Sequence, residues 1–168
     1  MRILLTFSLL TLAIGLVGQS VDKAAGVRIG KTSGLTYKKF TTENEAVELL
    51  LSGRNDGTQF TMIYEFHQPL DIAFDDNFYV YYGIGGHVGY ERYNDLNKVL
   101  INDDPFEFVF EDRSYFTMGL DAIAGVEYRY LSAPVTIGFD IKPFFNFIGM
   151  RYTESFFWDA ALSIKYVF

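Results

Sequence analysis

The chain of 168 residues has no cysteine, only two histidines and four prolines, and fewer basic than acidic residues, 14 against 21. Without cysteine there is no disulfide scaffold, no Cys-ligated zinc, no thiol nucleophile and no lipidated cysteine. The two histidines do not form an H-E-x-x-H zinc motif. The net charge of −7 argues against nucleic acid as a partner, because a nucleic-acid binder needs a basic face. We expect no cofactor and no bound metal.

The N-terminal segment carries one positive charge, Arg2, followed by an uncharged apolar run that closes with Gly18-Gln19-Ser20. A basic start, an apolar middle and a small-residue end are typical of a secretory signal peptide. The alternative is a membrane anchor, since the run approaches the ~20 residues that a spanning helix needs. We predict a signal peptide over 1–20, cleaved near Ser20, and one domain over 21–168.

The rest of the chain alternates apolar and polar residues with a period of two. In the segment 60–67, Phe60 and Phe66 share one face, whereas Glu65 and His67 share the other. Such segments are long enough for the ~9–11 residues of a strand that crosses a bilayer. A soluble sandwich or lipocalin alternates too, but its polar face carries abundant Lys and Glu. Here the polar face is rich in glycine and poor in charge, which suits a narrow barrel interior.

The alternation predicts an all-β fold, an eight-stranded antiparallel transmembrane β-barrel of up-and-down topology. Its strands are expected at 24–30, 34–41, 45–53, 58–68, 77–90, 114–131, 134–147 and 156–168. The segment 45–53 also fits an amphipathic helix, which would leave seven strands, whereas a closed barrel with both ends on one side needs an even number. Tight turns are predicted at Asn55-Asp56-Gly57 and Ser132-Ala133-Pro134, and a β-bulge near Ser33-Gly34.

The C-terminal segment places apolar residues at alternate positions and ends in phenylalanine: Leu162, Ile164, Tyr166 and Phe168. This pattern resembles the C-terminal signature of bacterial outer-membrane barrels. The segments 26–30, 33–40 and 125–130 look like those of small eight-stranded barrels of the OmpX, OmpW and OmpA-domain type. The resemblance implies an outer-membrane location, recognition of the last strand by the barrel-assembly machinery, and contact with outer-membrane lipid and lipopolysaccharide. It implies no shared activity.

Parity along the predicted strands assigns a set of polar side chains to the interior: Glu48, Glu65, His67, His87, Asp121, Glu127, Arg129, Asp140, Lys142, Asp159 and Lys165, with Arg28 and Lys38 as further candidates. An eight-stranded barrel is only just wide enough to hold side chains, and isolated buried charges are costly. We therefore expect a packed salt-bridge network, with a narrow ion path as the alternative.

A catalytic role would need a nucleophile beside a histidine. Neither His67 nor His87 has a serine two residues later, which departs from the His-x-Ser pattern of lipid A deacylase barrels. We predict no enzyme activity and regard a lipid-modifying enzyme as the third hypothesis. Where His87 lies between glycines, we expect it to pack against the rings of Tyr79 and Tyr81.

The longest predicted connection, 91–113, would lie on the outer side and contains Phe106, Phe108 and Phe110 at alternate positions. It fits a strand extension that projects as a hairpin, or an edge that pairs with a surface partner. The acidic run at 102–104 lacks the spacing of a calcium loop, and Trp158 is expected at the outer interface. The resulting prediction is a bacterial outer-membrane barrel with a structural or surface-interaction role; transport of an ion or small solute is the alternative.

Overall fold

The computed structural model describes residues 23–54, 56–72, 77–101, 104–130, 132–148, 154–156 and 159–168; for 93–101, 104–113, 148 and 154–156 only the backbone is described. Ten strand segments occupy most of these residues: β1 (Lys23–Gly30), β2 (Ser33–Phe40), β3 (Glu45–Arg54), β4 (Gly57–Pro69), β5 (Phe78–Ile101), β6 (Asp104–Arg129), β7 (Val135–Ile141), β8 (Phe144–Ile148), β9 (Glu154–Phe156) and β10 (Ala160–Val167). The signal-peptide segment and Trp158 lie outside the described residues. Within those residues, no helix is long and apolar enough to cross a bilayer.

The strands close into an antiparallel barrel. Each strand from β1 to β5 pairs with the strand that follows it in the chain, and β6 also pairs with both β7 and β8. The segments β7 and β8 form the seventh barrel strand, and β9 and β10 form the eighth, which returns to β1 through pairs such as Val27 with Ile164. The prediction of eight antiparallel strands is confirmed. The segment 45–53 is a strand, so its alternative assignment as a helix is wrong.

Two of the strand predictions need correction. The fifth and sixth strands are longer than the predicted 77–90 and 114–131, because β5 and β6 stay paired from Phe78 with Tyr128 up to Ile101 with Asp104, with one register irregularity between Val99 and Ile101. The prediction that 91–113 is a strand extension forming a hairpin is confirmed. The β5–β6 hairpin therefore extends well beyond the barrel wall, since the pairing of β4 with β5 ends at Thr58 with Tyr90. The bulge near Ser33-Gly34 is absent: the register of β2 with β3 runs through both residues unbroken, and that of β2 with β1 is regular up to Gly34.

The turns follow the local sequence. Arg54 pairs with Gly57, so β3 and β4 are joined by a two-residue turn in which Asp56 has a φ of 53°. Aspartate tolerates this left-handed conformation better than most residues. Pro143, which cannot donate a hydrogen bond, divides the seventh strand, although its carbonyl still accepts from the Ala122 N–H at 2.9 Å.

The two faces of the wall differ in polarity, as the alternation predicts. Ile84 is 72% exposed on the outside, whereas Ile63, on the neighbouring strand, is 0% exposed inside. Most of the large exposed hydrophobic side chains are outward residues of the strands, and most of the buried side chains are polar or charged. This arrangement inverts that of a water-soluble barrel and is the arrangement of small outer-membrane barrels.

Glycines make room for the large rings inside. Tyr81 pairs directly with Gly125, where a Cβ would come within 2.7 Å of the Tyr81 ring. His87 pairs in the same way with Gly119, where a Cβ would come within 2.6 Å of the His87 Cε1. The glycine-rich polar face therefore lets two rings fold across a narrow interior.

Candidate functional site

The charged interior of the barrel is the most distinctive chemical feature of the molecule. Ten of the predicted inward residues, together with Arg28 and Lys38, are buried and no more than 4% exposed: Glu48, Glu65, His67, His87, Asp121, Glu127, Asp140, Lys142, Asp159 and Lys165. The Arg129 side chain is 14% exposed at the end of the interior on the side of the chain termini. These charges are grouped in two clusters.

The first group, which we call the lysine cluster, is centred on Lys38 of β2. The Lys38 Nζ lies 2.8 Å from Glu65 Oε2, 3.1 Å from Glu48 Oε2 and 3.5 Å from Glu127 Oε2. One ammonium group thus contacts carboxylates from three strands, β3, β4 and β6. It also lies 4.4 Å from the centre of the Tyr81 ring, where a cation–π interaction is favourable.

Further groups contact each of these three carboxylates. Lys165 Nζ lies 2.9 Å from Glu48 Oε1, and Arg129 Nε donates to Glu127 Oε1 at 2.9 Å. The Thr36 hydroxyl also donates to Glu48 Oε1. His67 Nε2 lies 3.1 Å from Glu65 Oε2, and its ring stacks on Tyr81 with centroids 5.3 Å apart. Three basic side chains therefore face three carboxylates, with His67 packed against them.

The second group, the arginine cluster, is centred on Arg28 of β1. Arg28 Nη2 donates to Asp140 Oδ1 at 2.6 Å, and Nη1 lies 3.4 Å from Asp159 Oδ1. Arg28 Nη1 also donates to the carbonyl and the hydroxyl of Thr32, each at 2.8 Å. Lys142 Nζ bridges Asp121 at 2.9 Å and Asp159 at 3.4 Å. The fork of the guanidinium thus joins the first, seventh and eighth barrel strands.

His87 belongs to the arginine cluster. Its Nδ1 lies 2.6 Å from Asp121 Oδ2, and its Nε2 lies 2.8 Å from Asn146 Oδ1. The ring meets Phe144 edge-on. The expected packing against Tyr79 and Tyr81 is therefore wrong for His87, and it is His67 that stacks on Tyr81, because the register places those two residues opposite each other.

Tyr81 connects the two clusters. Its ring contacts Lys38 and His67, while its hydroxyl donates to Asp140 Oδ2 at 3.3 Å. Leu50, Ile63 and Ile123 pack with it in a small buried apolar cluster. Towards the outer end, Arg54 Nε lies 3.3 Å from Glu91 Oε1, and the guanidinium covers the Phe144 ring at 4.0 Å. A crevice lined by Arg28, Thr32, Gly34, Leu50 and Ser52 is too narrow to hold a water molecule.

Sequence reasoning missed several polar members of this interior. Thr32, Thr36 and Asn146 are buried and hydrogen-bonded to its charges. Thr36 lies two residues before Lys38 on β2, and Asn146 lies four residues after Lys142 in the seventh barrel strand. Both therefore share the inward parity of those lysines, and the same alternation predicts that they face inward. Arg54 and Glu91 lay at the predicted strand ends, where we assigned a turn and a loop.

The contacts of the two histidines bear on the enzyme hypothesis. The two histidines contact carboxylate, amide and guanidinium groups, and no serine or threonine hydroxyl bonds to either ring among the described residues. Within the same part of the chain, no group of three or more His, Asp or Glu side chains is placed to hold a metal ion.

The remaining predicted residues lie on the outside or in the hairpin. Leu162, Ile164, Tyr166 and Phe168 are 57%, 51%, 39% and 51% exposed on the outer face of the last strand. The backbone of Phe106, Phe108 and Phe110 lies in the β6 part of the projecting hairpin, and their side chains are outside the described part of the structure. The register pairs Phe108 with Lys98 and Phe110 with Leu96.

Comparison with known proteins finds few similarities. No family model and no curated protein sequence matches this chain. Among solved structures, the N-terminal β-barrel domain of Pseudomonas aeruginosa OprF is similar at 16% sequence identity and a TM-score of 0.46, covering 87% of this chain and 95% of that chain. The fold assignment rests on the strand pairing and on the polarity of the two barrel faces.

Proposed function

We propose that this protein is an integral β-barrel of the bacterial outer membrane with a structural or surface-interaction role, and that it is neither an enzyme nor a channel. The observation that carries the proposal is the inverted polarity: exposed hydrophobic residues such as Ile84, Leu120 and Leu162 form the outside, and charged pairs fill the inside. Water would solvate such an outer surface at a high cost in free energy, whereas lipid hydrocarbon covers it favourably.

The interior supports a closed barrel. The lysine cluster and the arginine cluster bring charges from at least six barrel strands into mutual contact, and Tyr81 bridges them. A conducting path would need these pairs to separate and water to enter, at a cost set by the uncompensated charges. Planar-bilayer recordings should show no single-channel steps; regular steps would favour the transport alternative.

The outer hairpin supplies the surface for interaction. The β5–β6 ribbon continues beyond the pair of Tyr90 with Phe116, at the far end of the barrel from the chain termini. In bacterial barrels the long connections face the cell exterior and the short ones the periplasm. Phe106, Phe108 and Phe110 would then be presented above lipopolysaccharide to a surface partner, while Leu162, Ile164, Tyr166 and Phe168 would be read by the assembly machinery.

A gel experiment and membrane fractionation test the proposal together. The folded barrel should resist detergent and migrate differently before and after boiling, and it should sediment with the outer membrane. A single unchanged band, or recovery in the soluble fraction, would refute it. Mass spectrometry of lipid A after overexpression should show no modification, and a new lipid A species would instead support an enzyme.

A further inference from the structure

Two lysines face each other on the outer surface of the barrel at the rim near the chain termini. Lys23 begins β1 and Lys39 lies near the end of β2, and the register pairs them directly. Both side chains are exposed, whereas their neighbours Ala24 and Lys38 point inward and are buried. Directly opposed residues in an antiparallel pair have Cβ atoms about 4.5–5.5 Å apart, so two like charges share one level of the rim.

This pair lacks compensation within the described part of the protein. Like charges directly opposite each other destabilise a sheet. Neither ammonium group makes an ion pair with any described carboxylate. On β3, the other neighbour of β2, the residue opposite Lys39 is the uncharged Val47. The carboxylate of Glu45 at the same rim accepts a hydrogen bond from the Tyr64 hydroxyl at 2.8 Å. The lysine pair therefore favours an external anion.

The surroundings of the pair indicate what that anion is. One step towards the membrane, Ala25 pairs with Tyr37 on one side and with Tyr166 on the other, so these two tyrosines occupy the next outward row of the wall. Tyr166 stacks on Phe168, whose N–H donates to the Lys23 carbonyl. Tyrosines of this kind lie at the level of lipid headgroups. Two cations directly below such a belt are in reach of a headgroup phosphate.

We infer that Lys23 and Lys39 form a binding site for the phosphate of an anionic phospholipid in the inner leaflet of the membrane. The inference rests on the proposed membrane location and adds a ligand class to it. The acyl chains would cover the neighbouring apolar wall at Val27 and Leu35, which are 41% and 61% exposed. The headgroup would replace the repulsion between the lysines with two charge-assisted contacts.

Native mass spectrometry can count the lipids retained by the folded barrel. The protein is placed in nanodiscs of phosphatidylcholine with a minority of phosphatidylglycerol, and the retained lipids are compared after release. The wild-type barrel should keep phosphatidylglycerol preferentially. In the double variant Lys23→Gln/Lys39→Gln this preference should fall by about 30-fold, the combined effect expected of two basic side chains at an anionic surface.

Two matched variants complete the design. Lys31→Gln/Arg92→Gln removes two exposed positive charges from the opposite side of the barrel and should keep the preference, as should Lys23→Arg/Lys39→Arg. An unchanged preference in the Lys→Gln pair, or an equal loss in the Lys31/Arg92 pair, would overturn the site. Folding of every variant is checked by the mobility shift on boiling. A barrel that folds and inserts but retains both lipids equally refutes this site alone, whereas failure to insert refutes the proposed function.

Discussion

Replacing Lys38 by methionine removes the cation that contacts three buried carboxylates. Its Nζ lies 2.8, 3.1 and 3.5 Å from Glu65, Glu48 and Glu127. At an effective dielectric constant of about 20, each contact near 3 Å attracts by about 5–6 kcal/mol, most of which offsets the desolvation of the charges. Removing one partner of a buried pair costs about 3–5 kcal/mol. We expect Lys38→Met to lose at least that much stability, because three carboxylates lose a partner.

The assay is urea-induced unfolding in phosphocholine micelles, approached from both the folded and the unfolded state and followed by gel mobility. Arg92→Met is the control, since this cation is exposed and its replacement should change the free energy of unfolding by less than about 0.5 kcal/mol. Adding Glu65→Gln to Lys38→Met removes one excess negative charge and should recover about 1–3 kcal/mol. A loss below about 1 kcal/mol, or no recovery in the double variant, would refute the central role of Lys38.

Three further predictions concern other parts of the barrel. Arg28→Lys keeps the charge but loses the fork that joins Asp140, Asp159 and Thr32, so the same unfolding assay should show a loss of about 1.5–3 kcal/mol, and an unchanged midpoint would contradict it. Gly26→Ala should abolish the folded gel band, because its Cβ would overlap the Ile164 carbonyl; Gly53→Ala, with 4.0 Å to the nearest atom, should fold normally. Deleting residues 95–110 should leave the boiling-dependent mobility shift intact, because β5 and β6 stay paired below Asn94 and Asp112; its loss would mean that the ribbon is needed for folding.

Alternation predicted which side chains face inward because a strand has a period of two, independent of its partners. Glu65 and His67 are two residues apart and both are buried for this reason. Asp140 and Lys142 are also two residues apart, and both are buried. The contacts between these side chains were not predictable. Lys38 meets Glu127 only because the relative displacement of the strands around the closed barrel brings β2 and β6 to the same height, and one sequence does not reveal that displacement.

The errors have physical causes as well. The predicted fifth strand ends at 90, where charged residues begin, but ladder hydrogen bonds join backbone groups, and the pairing of β5 with β6 continues through the charged segment. Gly34 suggested a bulge, whereas it is required by a close approach: a Cβ there would come within 2.1 Å of the Leu51 carbonyl oxygen. His87 lies across from Gly119, so its ring turns towards Asp121 and Asn146 instead of towards the tyrosines.

The span of the Arg28 contacts along the chain has a consequence for biogenesis. Its partners Asp140 and Asp159 are 112 and 131 residues away. A nascent chain that has formed the first hairpins carries Arg28 without either of its acids and Lys38 without Glu127, so the early hairpins gain little by inserting alone. Insertion is then favourable only once the final strand has arrived with Asp159 and Lys165. The sheet should therefore enter the bilayer in one concerted event, and a chain truncated before that strand should stall at the membrane surface.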